Sequence, residues 1–294
     1  MQPAREFEPL EERLKMVRDL PTLPVVVSTV MKLLNDSDAA LREVGEVVAT
    51  DPVLSARTLR MVNAPYFGLR RRLTSVVDAA VYLGRSGMRN LVVSSGLVQA
   101  IKGREGRMPG LAFWEHGFAT AIYARLFALH VCKEHADDAY LAGLIHDIGR
   151  LVLECHFPDE AASVHDLVRQ TGTNLVDAEQ ACWQATHADV GSWLGQMWHL
   201  PEDVIEATRM HHCPERAFRD WVDLAAVVHL ADEFAFEKGF HDSELFDARH
   251  SGLEMGCQVI SRDGRMLVSP DSLREMADSE AADVRMLVEM VYER

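Results

Sequence analysis

Apolar residues recur along this chain at helical spacing, interrupted by short polar or proline-bearing breaks. Residues 1–19 read as a short amphipathic lead-in helix. Leu20-Pro21-Thr22-Leu23-Pro24 is a stiff extended turn, because each proline fixes its own φ and restricts the residue before it. The spacing then predicts helices over Val25–Asn35 and Leu41–Ala49. Asp51-Pro52 opens a third, with aspartate as N-cap and proline at the first helical position. It carries Leu54, Leu59 and Val62 and stops at Asn63-Ala64-Pro65. A loop through Tyr66-Phe67-Gly68 and Arg70-Arg71-Arg72 follows. A fourth helix runs from about Thr74 to Leu83 and ends at Gly84. Ser86 can cap a fifth, from Met88 to Ile101. Short helices with short links make a small bundle.

Lys102 to Gly110 is the most linker-like stretch, charged and rich in glycine, so a boundary is expected there. It separates residues 1–109 from a second helical unit over 110–240. The first helix of that unit spans about Ala112 to His130. One of its faces holds His116, Thr120, Tyr123 and Phe127; the other holds Phe118, Ile122, Leu126 and Leu129. Both are largely apolar, which makes the helix central. Ala139 to Cys155 reads as one buried helix with His146 and Asp147 in its middle. Leu141, Leu144, Ile145, Ile148, Leu151 and Val152 form one stripe. The other side is small (Ala142, Gly143, Gly149) and so is expected to pack closely too.

Helices over about 159–171 and 175–184 come next. Thr186 and Asp189 have capping-box spacing, which puts His187 in the first turn of a helix ending near Trp198. Pro201 starts another that ends at Met210-His211-His212. The last strong helix, from Trp221 to about Phe236, places Asp232 in the middle of an apolar stripe, where a carboxylate seldom serves packing. Residues 241–294 form a mostly helical extension. A short hairpin is expected around Asp263-Gly264, flanked by Gln258–Ser261 and Arg265–Val268, and a terminal helix around Val284–Val291. The fold class is therefore all-α.

Composition narrows the function. A net charge of −15 over 294 residues argues against a broad nucleic-acid surface, so no DNA partner is expected. The five cysteines include no C-x-x-C pair, which fits a reducing cytoplasm better than a disulfide framework or a zinc ribbon. The N-terminus lacks the apolar segment of a signal peptide. No apolar run approaches the ~18 residues of a membrane span, so no membrane partner is expected. No Gly-rich phosphate loop is present. His146 beside Asp147 in a buried helix needs a partner, because an unpaired buried carboxylate is costly. A divalent metal suits both side chains, and a core histidine bonded to a backbone carbonyl is the plainer alternative.

The order His116, His146-Asp147, His187, His211-His212, Asp232 resembles the HD superfamily of metal-dependent phosphohydrolases. Leu20–Pro24, Asp51-Pro52-Val53-Leu54-Ser55 and Asn63-Ala64-Pro65-Tyr66-Phe67-Gly68 resemble the HDOD family, the HD-related output domains of bacterial signalling proteins. That resemblance spans about residues 18–237. It implies an N-terminal helical bundle packed against an HD-like core and a role in bacterial signal transduction with protein partners. Many HDOD proteins have lost HD ligands, whereas this chain keeps the series.

The series also resembles the HD-GYP phosphodiesterases, which cleave cyclic dinucleotides. Carried over by position, His116, His146, Asp147 and Asp232 hold one ion. His187, His211 and His212 hold the second, with Asp147 bridging. The implied cofactor is two divalent ions, with iron, manganese and zinc equally suited. The implied ligand is a nucleotide or another phosphoester, and the implied catalytic residues are Asp147 and Arg150. The chain departs from HD-GYP in three places. Arg150 stands where that family has lysine. Cys213-Pro214-Glu215 follows the histidine pair in place of Gly-Tyr-Pro. The upstream glutamate ligand of that family would fall at about Ala112, and that position holds none. Two readings stay open: a signalling protein with a metal site, and an active phosphohydrolase. His229 is expected to support a ligand from behind.

Overall fold

The structure is a computed structural model that describes residues 10–17, 20, 22–64, 68–101, 110–240, 252–260 and 269–292. The described elements are all α-helical apart from short 3-10 turns. In chain order they are α1 (Leu10–Lys15), α2 (Val25–Asn35), α3 (Leu41–Ala49), α4 (Pro52–Val62) and α5 (Val76–Ile101), then α6 (Leu111–Val131), α7 (Ala136–Ile145) and α8 (Ile148–His156). They continue with α9 (Pro158–Thr171), α10 (Leu175–Trp183), α11 (His187–Met197), α12 (Glu202–Met210), α13 (Val222–Glu237), α14 (Gly252–Val259) and α15 (Pro270–Tyr292). None of the described helices is long and apolar enough to cross a membrane.

The local signals act as their chemistry requires. Asp51 Oδ1 accepts the Val53 and Leu54 amides at 2.8 and 3.0 Å, and Pro52 follows in the first turn of α4. Asn63 clamps the loop after α4: its side chain donates to the carbonyls of Leu59 and Leu73 and accepts the Leu73 amide. The expected fourth and fifth helices are the two arms of α5, which breaks at Gly84 (φ 71°, ψ −172°). Glycine takes this left-handed value without strain. The break aims Arg85 at the end of α2, where its guanidinium donates to the carbonyls of Leu33, Leu34, Asp36, Ser37 and Ala39. The orphan carbonyls of that helix end are thereby satisfied.

Helices α2 to α5 form the bundle. The helices that follow gather around α6, most of which is buried, through Phe113, Trp114, Phe118, Tyr123 and Phe127. Helices α7, α13 and α15 pack against it. A seam of polar contacts joins the bundle to the core. Arg89 meets Asp138 at 3.3 Å, Asn90 donates to the Asp137 carbonyl at 2.8 Å, and Asn35 donates to the His199 carbonyl at 3.0 Å. Helix α1 lies against the core: Arg13 pairs with Glu160 at 2.6 Å and sits 4.5 Å over the Phe157 ring.

At this seam burial, reinforced by the nearby Asp203 carboxylate, pushes the Asp138 carboxyl up to about 6. Asp138 therefore binds a proton more tightly in the fold than in the unfolded chain. Its contribution to stability is full below its unfolded value of 3.8 and is lost as the pH rises through about 6. Asp138→Asn should stabilise the protein by on the order of 1 kcal/mol at pH 8, the ideal linkage being discounted for residual exposure and for the lost Arg89 pair. The gain should vanish near pH 4. Denaturant melts of both proteins at the two pH values check this, and an equal or lower stability of the variant at pH 8 would refute it.

Two expectations change. Ala139–Cys155 is not one straight helix. It turns at His146-Asp147, and Asp147 leaves helical geometry (φ −99°, ψ 5°). The break lets each half press on a different neighbour. A Cβ at Gly143 would come within 2.8 Å of the Thr120 carbonyl oxygen on α6. A Cβ at Gly149 would come within 2.0 Å of the His187 carbonyl oxygen on α11. In the tail, Gln258 and Val259 end α14, so the first arm of the expected hairpin is helical there. Beyond Ile260 that hairpin lies outside the described residues, as do residues 1–9, Pro65-Tyr66-Phe67 and the linker over 102–109.

Candidate metal centre

All seven residues of the histidine–aspartate series converge on one site. His116 comes from the middle of α6, and His146 and Asp147 from the turn between α7 and α8. His187 is the first residue of α11, set by a complete capping box between Thr186 and Asp189. His211 and His212 follow the end of α12, and Asp232 lies inside α13. His116 Nε2 is 3.1 Å from His146 Nε2 and 3.2 Å from Asp232 Oδ1. Asp147 Oδ1 lies 3.1 Å from His187 Nε2, 3.7 Å from His146 Nε2 and 3.9 Å from His211 Nε2. His212 Nε2 is 2.9 Å from His187 Nε2. Candidate ligand atoms within 4.8 Å of one another come from Asp147, His187, His211 and His212 on one side, and from His116, His146 and Asp147 on the other. His211 also groups with His146 and Asp232, so it stands between the two sides.

The far side of each ring decides what the near side can do. His116 Nδ1 faces the Phe240 carbonyl at 2.8 Å, His146 Nδ1 that of Gly143 at 2.7 Å, and His211 Nδ1 that of Thr208 at 2.7 Å. A carbonyl only accepts, so these three Nδ1 atoms carry the hydrogen. When neutral, the rings aim Nε2 lone pairs into the site. Two facing lone pairs, as on His116 and His146, cannot hydrogen-bond to each other; either a proton or a metal cation has to lie between them. His211 Nε2 is buried with no hydrogen-bond partner among the described residues. Nδ1 held by an acceptor and Nε2 turned inward is the arrangement of metal-binding histidines. The residues present fit a divalent metal.

Glu179 was not among the sequence candidates. This buried carboxylate on α10 accepts both the His187 backbone amide at 2.9 Å and His187 Nδ1 at 2.7 Å through Oε2. It shares the buried stripe of α10 with Leu175, Ala178 and Trp183. A carboxylate on an apolar stripe is the signal that singled out Asp232, and it would have found Glu179. His229 lies behind His211: its Nδ1 donates to the His211 backbone carbonyl at 2.7 Å.

Arg150 is buried and donates to Asp147 Oδ2 at 2.8 Å. Its guanidinium is thus engaged with the central aspartate rather than standing open beside it. Burial alone would raise the Asp147 carboxyl, but His146, Arg150 and His187 outweigh it and hold it well below the usual range. Against burial, His116 and His146 hold Asp232 low, since each ring donates to it from Nε2 when it carries its second proton. Burial pushes His211 down to about 3, so it stays neutral. His187 is carried up to about 9, because Glu179 and Asp147 overcome the effect of burial. With no metal bound, His187 therefore holds a proton at neutral pH. The site is closest to solvent at Asp232, whose side chain is 16% exposed, and at partly buried His212.

The chain matches the HDOD domain over residues 20–214. It belongs to the HDOD family. A solved HDOD domain protein of unknown function from Geobacter sulfurreducens is 25% identical, with a TM-score of 0.76 over 97% of each chain. A structure from Shewanella amazonensis, described as a candidate phosphohydrolase, is also 25% identical. Its TM-score is 0.75, covering 95% of this chain and 97% of that one. An uncharacterised protein of Treponema pallidum is 25% identical over 221 residues, and the chain spans 42% of its length. Within the family match lie His116, His146, Asp147, His187, His211 and His212, with Asp232 just beyond it.

Proposed function

We propose that this HDOD protein is a bacterial cytoplasmic signalling protein whose core holds two divalent ions and recognises a phosphate-bearing ligand such as a nucleotide. The observation that carries this reading is the inward set of histidine Nε2 atoms around Asp147, with three of the Nδ1 atoms fixed as donors by carbonyls. His116, His146, Asp147 and Asp232 would hold the first ion. His187, His211 and His212 would hold the second, with Asp147 between the two. Two ions so held supply Lewis acidity toward phosphate oxygens. The chain's own part is to fix the donors. Arg150 orients Asp147, Glu179 orients His187, and His229 holds the backbone of His211. The five cysteines are free, in keeping with a reducing compartment. Signalling proteins are the expected macromolecular partners.

A second reading is metal-dependent phosphoester hydrolysis, with a cyclic dinucleotide among its candidate substrates. Its support is the complete ligand series, the solvent-facing edge at Asp232 and His212, and the Shewanella amazonensis relative described as a candidate phosphohydrolase. Arg150 could assist a phosphate there only by sharing its guanidinium with Asp147.

Metal content decides the first point. Tag-free protein purified without chelator, and reconstituted anaerobically with iron or manganese, should carry about two ions per chain by plasma mass spectrometry. A value near zero would overturn the centre. Loaded protein incubated with phosphomonoesters and cyclic dinucleotides then separates the two readings: turnover supports hydrolysis, and binding without turnover supports the signalling role.

Glu179→Gln tests the buried support. A carboxylate behind a ligating imidazole raises its basicity, and losing such a partner typically weakens metal affinity by about 10–100-fold. The variant should keep its helical circular dichroism and lose one ion in a competition with a chelating dye. Unchanged affinity for both ions would remove Glu179 from the centre.

A further inference from the structure

A second concave surface lies away from the metal centre. It is a cavity of about 1290 Å³ between α1, α10, α11, α12 and the segment before α13. It exceeds the roughly 300–1,000 Å³ of ordinary small-ligand pockets. Its walls carry Trp193, Phe218 and Trp221. Phe218 is 64% exposed, and its ring meets Trp221 edge to face at 5.7 Å.

Two guanidinium groups line the cavity, and both are engaged. Arg13 is held by Glu160 and Phe157, and Arg209 lies 3.6 Å from Asp189. The carboxylates Glu202, Glu206 and Asp220 also line it, and none of the three has a cationic partner among the described residues. Glu206 is 6% exposed; its Oε1 accepts the Phe218 amide at 3.1 Å, the one hydrogen bond of its carboxylate among the described residues. Its other oxygen opens on the cavity and offers a carboxylate there. Exposed aromatic faces beside unpaired carboxylates favour a cation, which gains from the rings and the charges together.

We propose that this cavity is the docking site for a basic segment of a partner protein, which inserts an arginine or lysine side chain between Trp193, Phe218 and Trp221 and toward Glu206. The size of the cavity favours a peptide over a small molecule, and its charge selects the sign. The site is independent of the metal centre, yet it borders the helices that position it. Asp189, one of its lining residues, completes the capping box that sets His187, and α12 runs from Glu202 to the residue before His211. Asn35, at the end of α2 across the seam, lines it as well, so an occupant would touch both sides of that seam.

The test is a tryptophan-fluorescence titration of the full chain with an amidated Arg-Gly-Arg tripeptide, its citrulline twin and arginine amide. The citrulline twin keeps the shape and removes the two guanidinium charges. The arginine tripeptide should saturate, with the twin weaker by about tenfold or more, the equivalent of one cation–π contact with its charge pairing. Glu206→Gln and, separately, Asp220→Asn should each weaken it severalfold. Glu46→Gln, an exposed acid on α3, should not, which separates docking from attraction to the acidic surface as a whole. Should Glu206→Gln fail to fold, Glu202→Gln with Asp220→Asn carries the same test. Equal binding of the citrulline twin, or unchanged binding by the cavity variants, overturns the proposal. Arginine amide binding as tightly as the tripeptide would also overturn it, in favour of a small-molecule pocket.

Discussion

Asp147→Asn should strip the protein of metal and destabilise it even when no metal is present. Asp147 is the residue both halves of the site share, and its two oxygens are divided between His187 and Arg150. Without the Asp147 charge, the buried Arg150 guanidinium loses its partner, and His187 loses one of the two carboxylates that hold its proton. Breaking one partner of a buried ion pair typically costs about 3–5 kcal/mol, because the other charge stays in a poorly solvating interior. Two measurements keep the effects apart. Metal analysis should fall from about two ions to near zero. Urea unfolding in excess chelator should still show the variant less stable by roughly 3 kcal/mol. Full metal content in the variant would remove Asp147 from its bridging position. Equal stability in chelator would mean that the Arg150 pair contributes nothing to the metal-free fold.

The second large effect is expected from packing, with no charge changed. Gly149→Ala adds a single methyl group, but its carbon would stand 2.0 Å from the His187 carbonyl oxygen and 2.8 Å from the Gly191 amide nitrogen. Both are backbone atoms in α11 and cannot turn aside as a side chain would. Helices α8 and α11 must separate, and His187 moves with α11 away from Asp147. Forcing atoms into a packed interior costs about 1–3 kcal/mol and occasionally more; the upper end applies here because backbone must shift. The variant should lose stability by about that amount and hold its second ion more weakly. Gly110→Ala is the control, since a Cβ there meets nothing within 4 Å and φ is already −61°. A Gly149→Ala protein as stable and as metal-replete as wild type would show that the helices part freely.

Much of this protein was legible before any coordinates. Helical periodicity alone sets the all-α class and most element positions. Local chemistry fixes several ends: Asp51 with Pro52, Gly84, and the reciprocal cap of Thr186 and Asp189 each act over a few residues and need no tertiary partner. Asp232 and His146 could be picked out because polar groups on apolar stripes require a reason. What required the tertiary structure was everything set by contact between distant segments. The turn at His146-Asp147 is one such feature, because periodicity continues through it and only the separate packing of α7 on α6 and α8 on α11 breaks the helix. The position of Arg150 is another: from sequence it could face a phosphate, whereas burial turns it onto Asp147. Glu179 stands behind His187 only because α10 lies beside α11. The cavity beside α12 gathers Leu10, Asn35 and Trp221 from across the chain, and no local pattern encodes that meeting. Sequence sets the donors and the helices that carry them, since those depend on short-range sterics and hydrogen bonds. Which lone pair faces which is decided by long-range packing, and the chemistry of the site follows from that.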